Sequence, residues 1–180
     1  MLLVASLVGG WLNLPLWRLP PSHSVHAAVV SAFGVRWLVP VVEEDEGTIV
    51  AINVGGALIP TGVSARILAN DRLWWRDVVA AAIVCAVVHR LAEPVAGLGI
   101  AVPALAPPIT AALASLALSQ GSAAPGAFVA GTLGTLVGAD LLNLPRVRGL
   151  GTAIASIGGA GTFDGVFLSG VLGVVLAASL

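Results

Sequence analysis

The chain has 180 residues; 58% are hydrophobic and 9% charged, the formal net charge is -1 and the mean hydropathy is +1.02. Soluble domains carry about 25% charged residues, so this chain lacks the polar cover that water demands, and lipid is the solvent its composition fits. Its basic residues are all arginines and are scattered, without the basic stripe of a nucleic-acid binder. The single cysteine, Cys85, excludes an internal disulfide and a cysteine metal cluster.

The opening residues, Met1 to Pro20, carry no basic n-region and no small-residue cleavage site after their apolar stretch. They read as a retained membrane segment rather than a signal peptide. A bilayer core of about 30 Å takes about 20 apolar helical residues. Six segments approach that measure, at roughly 2–17, 55–70, 74–92, 101–119, 125–144 and 161–180. The second is short and interrupted by glycines and Pro60. Trp11, Trp17, Trp37, Trp74 and Trp75 lie mostly near the segment ends, as an aromatic interface belt requires.

Between the first two segments, His23 and His26 have metal-like spacing but sit in an expected loop with no third ligand. A metal site needs its full ligand set, so no metal is expected. Glu43 to Glu46 read as a solvated turn, and His89-Arg90 as a helix-end anchor. Six spans put both termini on one side. Arg18, Arg36, Arg90, Arg146 and Arg148 then share the opposite side, against Arg66, Arg72 and Arg76. The positive-inside rule makes the Arg146/Arg148 side cytoplasmic.

The sequence also repeats. Ile49-Val50-Ala51-Ile52-Asn53-Val54-Gly55-Gly56-Ala57 resembles Thr152-Ala153-Ile154-Ala155-Ser156-Ile157-Gly158-Gly159-Ala160, and the match continues to Gly62-Val63 against Gly165-Val166. Upstream, Asn13-Leu14-Pro15 matches Asn143-Leu144-Pro145. This order implies an internal duplication covering about 6–70 and 130–175 within a single domain, 1–180. Adjacent glycines break regular structure, so 48–54 and 152–157 are expected to be extended and paired with each other. Non-helical backbone at membrane depth needs protein shelter or a watery cavity.

Two carboxylates lie deep in apolar segments, Asp140 in Gly138-Ala139-Asp140-Leu141-Leu142 and Asp164 in Gly161-Thr162-Phe163-Asp164-Gly165. An ionised group at a helix centre costs about 2.5–3.5 kcal/mol on insertion scales, so such residues face the interior or a cavity. Asp140 precedes a helix end and Asp164 follows the next break, so antiparallel helices would bring both to one depth. Gly134/Gly138 and Gly161, Gly165, Ser169 and Gly173 offer close-packing faces. Two carboxyls in contact share a proton. One can then take a proton from water while the other polarises a peptide carbonyl. The duplicated positions, near Gly10 and at Thr61, are not acidic, so the repeat itself does not require the aspartates.

Residues Gly131 to Leu144 and Ala155 to Leu168, with Asn53-Val54-Gly55-Gly56-Ala57-Leu58-Ile59-Pro60 and the proline-rich Gly97 to Pro108, resemble the prokaryotic membrane family catalogued as domain of unknown function 1614. That resemblance implies a compact helical membrane protein and no particular activity. A looser one is to presenilin-like and signal-peptide-peptidase-like intramembrane proteases, which carry one aspartate on each of two consecutive helices. Here Gly159-Ala160-Gly161 precedes Asp164 by two residues more than their Gly-x-Gly-Asp motif allows, Pro103-Ala104-Leu105 comes before the aspartates rather than after them, and tyrosine is absent. The carry-over is limited to Asp140 and Asp164.

The resulting expectation is an all-α membrane protein of about six transmembrane helices with short extended, Gly-Gly-interrupted segments, in a prokaryotic inner membrane. The expected function is intramembrane aspartyl proteolysis of a transmembrane peptide by Asp140 and Asp164, without cofactor, metal or nucleic acid. The alternative is a small proton-coupled transporter or channel, because paired Gly/Pro-interrupted segments mark transport sites. A membrane scaffold is third.

Overall fold

The computed structural model describes residues 2–20, 23–32, 35–44, 47–95, 97–119, 122–159 and 165–180, with the backbone alone for 23–32 and 35–44. The chain begins with helix α1 (Leu2–Gly9) and passes at once into strand β1 (Asn13–Arg18). The expected first span at 2–17 is therefore corrected: its second half is extended. Gly9 and Gly10 weaken the helix, and Pro15 removes a donor and pushes Leu14 out of the α region. β1 pairs antiparallel with β4 (Ile49–Asn53), from Asn13 opposite Asn53 to Arg18 opposite Ile49, with an irregularity between Pro15 and Trp17.

Strands β2 (His23–Ala32) and β3 (Val35–Glu44) form an antiparallel hairpin, His23 opposite Glu44 and Ala32 opposite Val35. This corrects the loop expected around His23 and His26. Valine recurs through both segments, and β-branched residues favour the pleated backbone.

After β4 a π-helical turn (Val54–Leu58) leads into α2 (Ile59–Asn70). The hydrophobic bundle follows: α3 (Trp74–Leu91), a short β5/β6 hairpin (Glu93–Val95 and Gly99–Ala101), α4 (Ala106–Leu118) and α5 (Ala124–Thr135). α5 runs on through a π turn (Leu136–Asp140), a 3-10 turn (Leu141–Asn143) and α6 (Leu144–Val147). Strand β7 (Ile154–Ile157) and helix α7 (Gly165–Ser179) complete the described elements.

The chain is thus mostly helical, but sheets are present and the all-α expectation is corrected. β7 pairs parallel with β4, Ile49 opposite Ile154 and Ile52 opposite Ile157, giving the sheet order β1-β4-β7. The two sequence-similar segments are therefore extended neighbours, as expected. Their register lies two residues from the sequence alignment, which keeps the same faces together.

Among the described residues one helix, Ala124–Val147, is long and apolar enough to cross a membrane; at 24 residues it spans about 36 Å. The six-span expectation is not supported. α4 and α7 are apolar but have 13 and 15 residues, while α3 reaches 18 and carries Arg76, Asp77 and Arg90.

The bundle packs on small residues. A Cβ on Gly134 would meet Ala81 O at 2.7 Å, and one on Gly138 would meet Cys85 O at 2.6 Å. α3 and α5 therefore run side by side in the same direction. α7 runs the other way: Gly131 abuts Ser169 and Gly170, and Gly173 abuts Ala127. Gly165, expected on the close-packing face, has nothing near its Cβ position. The largest side chains that are fully buried are Val50, Val84, Val88, Val129, Asn53 and Asn143, whereas Leu3, Trp11, Trp74, Leu113 and Val175 are exposed. Small residues hold much of the interior and many large apolar residues face outward, an arrangement that water disfavours and lipid favours.

Candidate active-site cleft

The cleft lies where the sheet meets the far end of α5. Val50, Ala57, Leu136, Ile157 and Val166 form one buried apolar cluster, which fixes β4 and β7 against the π turn of α5 and the start of α7. Asp140 closes that π turn. A π turn carries one extra residue relative to an α turn and often marks functional sites.

Asp140 Oδ2 accepts a hydrogen bond from Gly158 N at 2.7 Å. Gly158 has φ +91° and Gly159 φ +95°, a backbone that favours glycine, so the chain breaks after β7 as the paired glycines predicted. Asn143 is fully buried; its Nδ2 donates to Gly138 O at 2.8 Å and Ala139 O at 3.0 Å. This amide gives two carbonyls of the widened turn a side-chain donor. The same Nδ2 lies 3.2 Å from His89 Nδ1, and Arg146 Nη1 donates to Asn143 Oδ1 at 3.1 Å. His89 is thus tied into the support of the Asp140 turn, beyond the helix-end anchoring expected of it.

Asp140 lines a cleft of about 590 Å³ together with Ile154 to Ile157 of β7, Pro103-Ala104-Leu105, Gly165 and Val166. β7 is an edge strand, and among the described residues no strand pairs with its outer side. Three features singled out in the sequence therefore converge on one cleft: Asp140, the extended segment of the second glycine pair, and the Pro-Ala-Leu tripeptide. Asp164, the other expected site residue, lies outside the described residues. Gly165, which follows it, lines the cleft. No group of three or more metal-ligating side chains occurs among the described residues.

The sequence reading passed over a second polar cluster. Asp71, Arg76, Asp77, Ser115, Ser119 and Ser122 line another cavity, between the start of α3, the end of α4 and the start of α5. Asp77 lies in the first turn of α3. Its sequence signal is a carboxylate near the edge of an apolar segment.

These observations define a mostly helical protein with, among the described residues, one helix long and apolar enough to cross a membrane, a small mixed sheet, and a largely apolar cleft that holds Asp140. The chain belongs to the family described as Protein of unknown function (DUF1614), whose model matches residues 7–176. No match to a curated protein or to a solved structure was found. These comparisons do not support the presenilin-like resemblance.

Proposed function

We propose that this chain is an integral protein of a prokaryotic inner membrane that cleaves a transmembrane peptide with Asp140 and Asp164. The observation that carries the reading is the cleft in which an edge strand and a carboxyl from an apolar helix face the same space. A substrate segment unwound from its helix would add to β7 as a further strand, so that main-chain hydrogen bonds hold it without regard to sequence. Its backbone groups would be satisfied by the sheet at a depth where lipid offers no partners. The apolar cleft walls would take its side chains.

In this scheme one ionised carboxylate takes a proton from water as the water oxygen adds to the scissile carbonyl carbon. The other, protonated, carboxyl gives its proton to the carbonyl oxygen. Collapse of the resulting diol returns a proton, breaks the C–N bond and releases an amine and a carboxylic acid. The hydrogen bond from Gly158 N holds the Asp140 carboxyl in place beside the cleft. The outward-facing leucines and tryptophans support the membrane location, and the arginine distribution favours a cytoplasmic Arg146/Arg148 side.

The test is cleavage of a fluorogenic transmembrane peptide by the purified protein in proteoliposomes. Asp140→Asn and Asp164→Asn should each reduce the rate at least about 100-fold, the scale of acid–base catalysis, while the protein still unfolds cooperatively. Wild-type-like cleavage by both variants would sink the proposal. If no peptide bond is cut but both variants lose proton-coupled uptake, the transporter reading replaces it. Buried Thr132 and Thr135, whose hydroxyls have no hydrogen-bond partner, would then mark part of the path along α5.

A further inference from the structure

The second cavity lies at the opposite end of the bundle from Asp140. α3 and α5 run in parallel, with Asp77 beside Gly126 near their starts and His89 beside Asn143 near their ends. The 14 residues from Gly126 to Asp140 correspond to about 21 Å of helix. The two cavities are therefore separate, and the second enters neither the cleft nor the proposed proteolytic chemistry.

Its lining combines both charges with the Ser115 hydroxyl, which lacks a partner. The volume is about 340 Å³. Arg76 Nη1, Asp77 Oδ2 and Ser115 Oγ are all buried without a hydrogen-bond partner, and Ser115 as a residue is only 3% exposed. A buried polar atom without a partner costs about 1–3 kcal/mol, so three around one cavity call for an occupant that satisfies them. Arg76 and Asp77 do not satisfy each other, because consecutive helical residues point in different directions. Asp77 also fixes the wall opposite it: a Cβ on Gly126 would come within 2.5 Å of Asp77 Oδ1. Asp71, whose Oδ1 caps Leu73 N at 2.8 Å, brings a second carboxyl to the same space.

The demands are complementary. A guanidinium nitrogen seeks an anionic acceptor, a carboxylate oxygen seeks a donor, and a hydroxyl serves either. The α3 and α5 N-termini open beside the cavity and favour an anion there. Burial and the neighbouring Asp71 carboxyl push the Asp77 carboxyl up, and an ammonium donating to both would relieve that repulsion. Leu73, Trp74 and Trp75 stand exposed at the same helix start, where aromatic side chains meet the head-group layer of a bilayer.

We propose that this cavity binds a phosphoethanolamine-type zwitterion, with its phosphate on Arg76 and its primary ammonium on Asp77, Asp71 and Ser115. Such a group is offered by an ethanolamine phospholipid or by free phosphoethanolamine. The ammonium distinguishes it from choline, whose quaternary nitrogen has no N–H to donate.

The test is native mass spectrometry of the full chain released from nanodiscs of mixed phosphatidylethanolamine, phosphatidylcholine and phosphatidylglycerol. A calorimetric titration with O-phosphoethanolamine, inorganic phosphate and ethanolamine runs beside it. The expected result is preferential retention of phosphatidylethanolamine, or binding of O-phosphoethanolamine at least tenfold tighter than of either fragment; the first identifies the lipid as the source and the second the free compound. Ser115→Ala removes only a hydroxyl and should weaken whichever binding is seen by about fivefold or more, the factor one neutral hydrogen bond supplies. Asp77→Asn should weaken the preference over choline. Equal retention of all three lipids together with no selective titration would overturn the proposal, as would binding unchanged by both substitutions. Neither outcome bears on peptide cleavage at the other end.

Discussion

Asn53-Val54-Gly55-Gly56 and Ser156-Ile157-Gly158-Gly159 match in the sequence repeat and end neighbouring parallel strands two residues out of register, yet the chain leaves them in different ways. In the first, Asn53 Oδ1 accepts from Gly56 N at 2.8 Å, an N-cap, and the strand turns directly into the π turn and α2. In the second, Ser156 Oγ donates to Gly159 O at 2.6 Å and to Asn13 Oδ1, while Gly158 takes a left-handed φ. One side chain presents an acceptor to the next turn's N–H groups; the other is engaged as a donor.

The glycines do correspondingly different jobs. Gly55 permits contact: a Cβ there would lie 2.0 Å from Ser6 O and 2.3 Å from Gly10 N. Gly158 permits both a turn and contact with the first segment, since its Cβ would lie 2.6 Å from Ala57 N. The aligned partners show the same divergence. Gly10, with no side chain, lets its backbone touch Gly55; Asp140, at the matching place, reaches Gly158 N through its carboxylate. A pair of similar sequence segments thus yields one closed junction and one that holds an acidic group beside a cleft.

The largest expected effect comes from closing the contact in the first segment. Gly55→Ala forces two backbone stretches apart, and neither can move as a side chain would. The cost should reach or exceed the upper part of the overpacking range, about 3 kcal/mol, read as a lowered unfolding midpoint in detergent. A midpoint within a degree of wild type would remove the distinction drawn between Gly55 and an ordinary helical glycine. Asn53→Ala comes next. It deletes the cap, worth about 1 kcal/mol, and the Nδ2 bonds to Gly10 O at 2.7 Å and Asn13 Oδ1 at 3.1 Å. Leaving a buried carbonyl without a donor adds about 1–3 kcal/mol. Asn53→Asp keeps the cap acceptor but not the donor, so it should recover the cap share alone; full recovery would show that the Gly10 contact contributes nothing.

Much of this was legible in the residues. The glycine pairs announced the break after β7, the Ile/Val/Ala runs announced β4 and β7, and their likeness announced that they pair. Positions of the later helices followed from apolar length alone. What hydropathy hid was the difference between apolar helix and apolar strand. Leu14 to Trp17 are apolar enough to merge with the first membrane segment, and only Pro15 distinguishes them; Val25 to Val42 fall between the expected segments, where valine content is the strand signal. Asp140 was legible as a cavity-facing carboxyl because charge in an apolar helix has few alternatives. Its bond to Gly158 was not, since it depends on a left-handed turn 18 residues further on. Arg76, Asp77 and Ser115 meet only through the packing of three helices, so no local spacing reveals them.

The smallest effect tests the comparison from the opposite direction. Gly62, which the alignment matches to Gly165, sits inside α2 with nothing within 4 Å of its Cβ position and no left-handed φ. Neither contact nor turn requires glycine there. Gly62→Ala should therefore stabilise the protein by about 0.5–1 kcal/mol, because alanine loses less backbone freedom in a helix interior. The sign is the informative part. Gly55 and Gly62 lie seven residues apart in one continuous helical stretch, so a propensity-only account predicts that alanine helps at both. Contact predicts opposite signs, with the loss at Gly55 several times the gain at Gly62. If Gly62→Ala also destabilises, the outer face of α2 is covered by something that approaches as closely as α1 approaches Gly55, and the face the bundle leaves exposed is an interface rather than a lipid-facing surface.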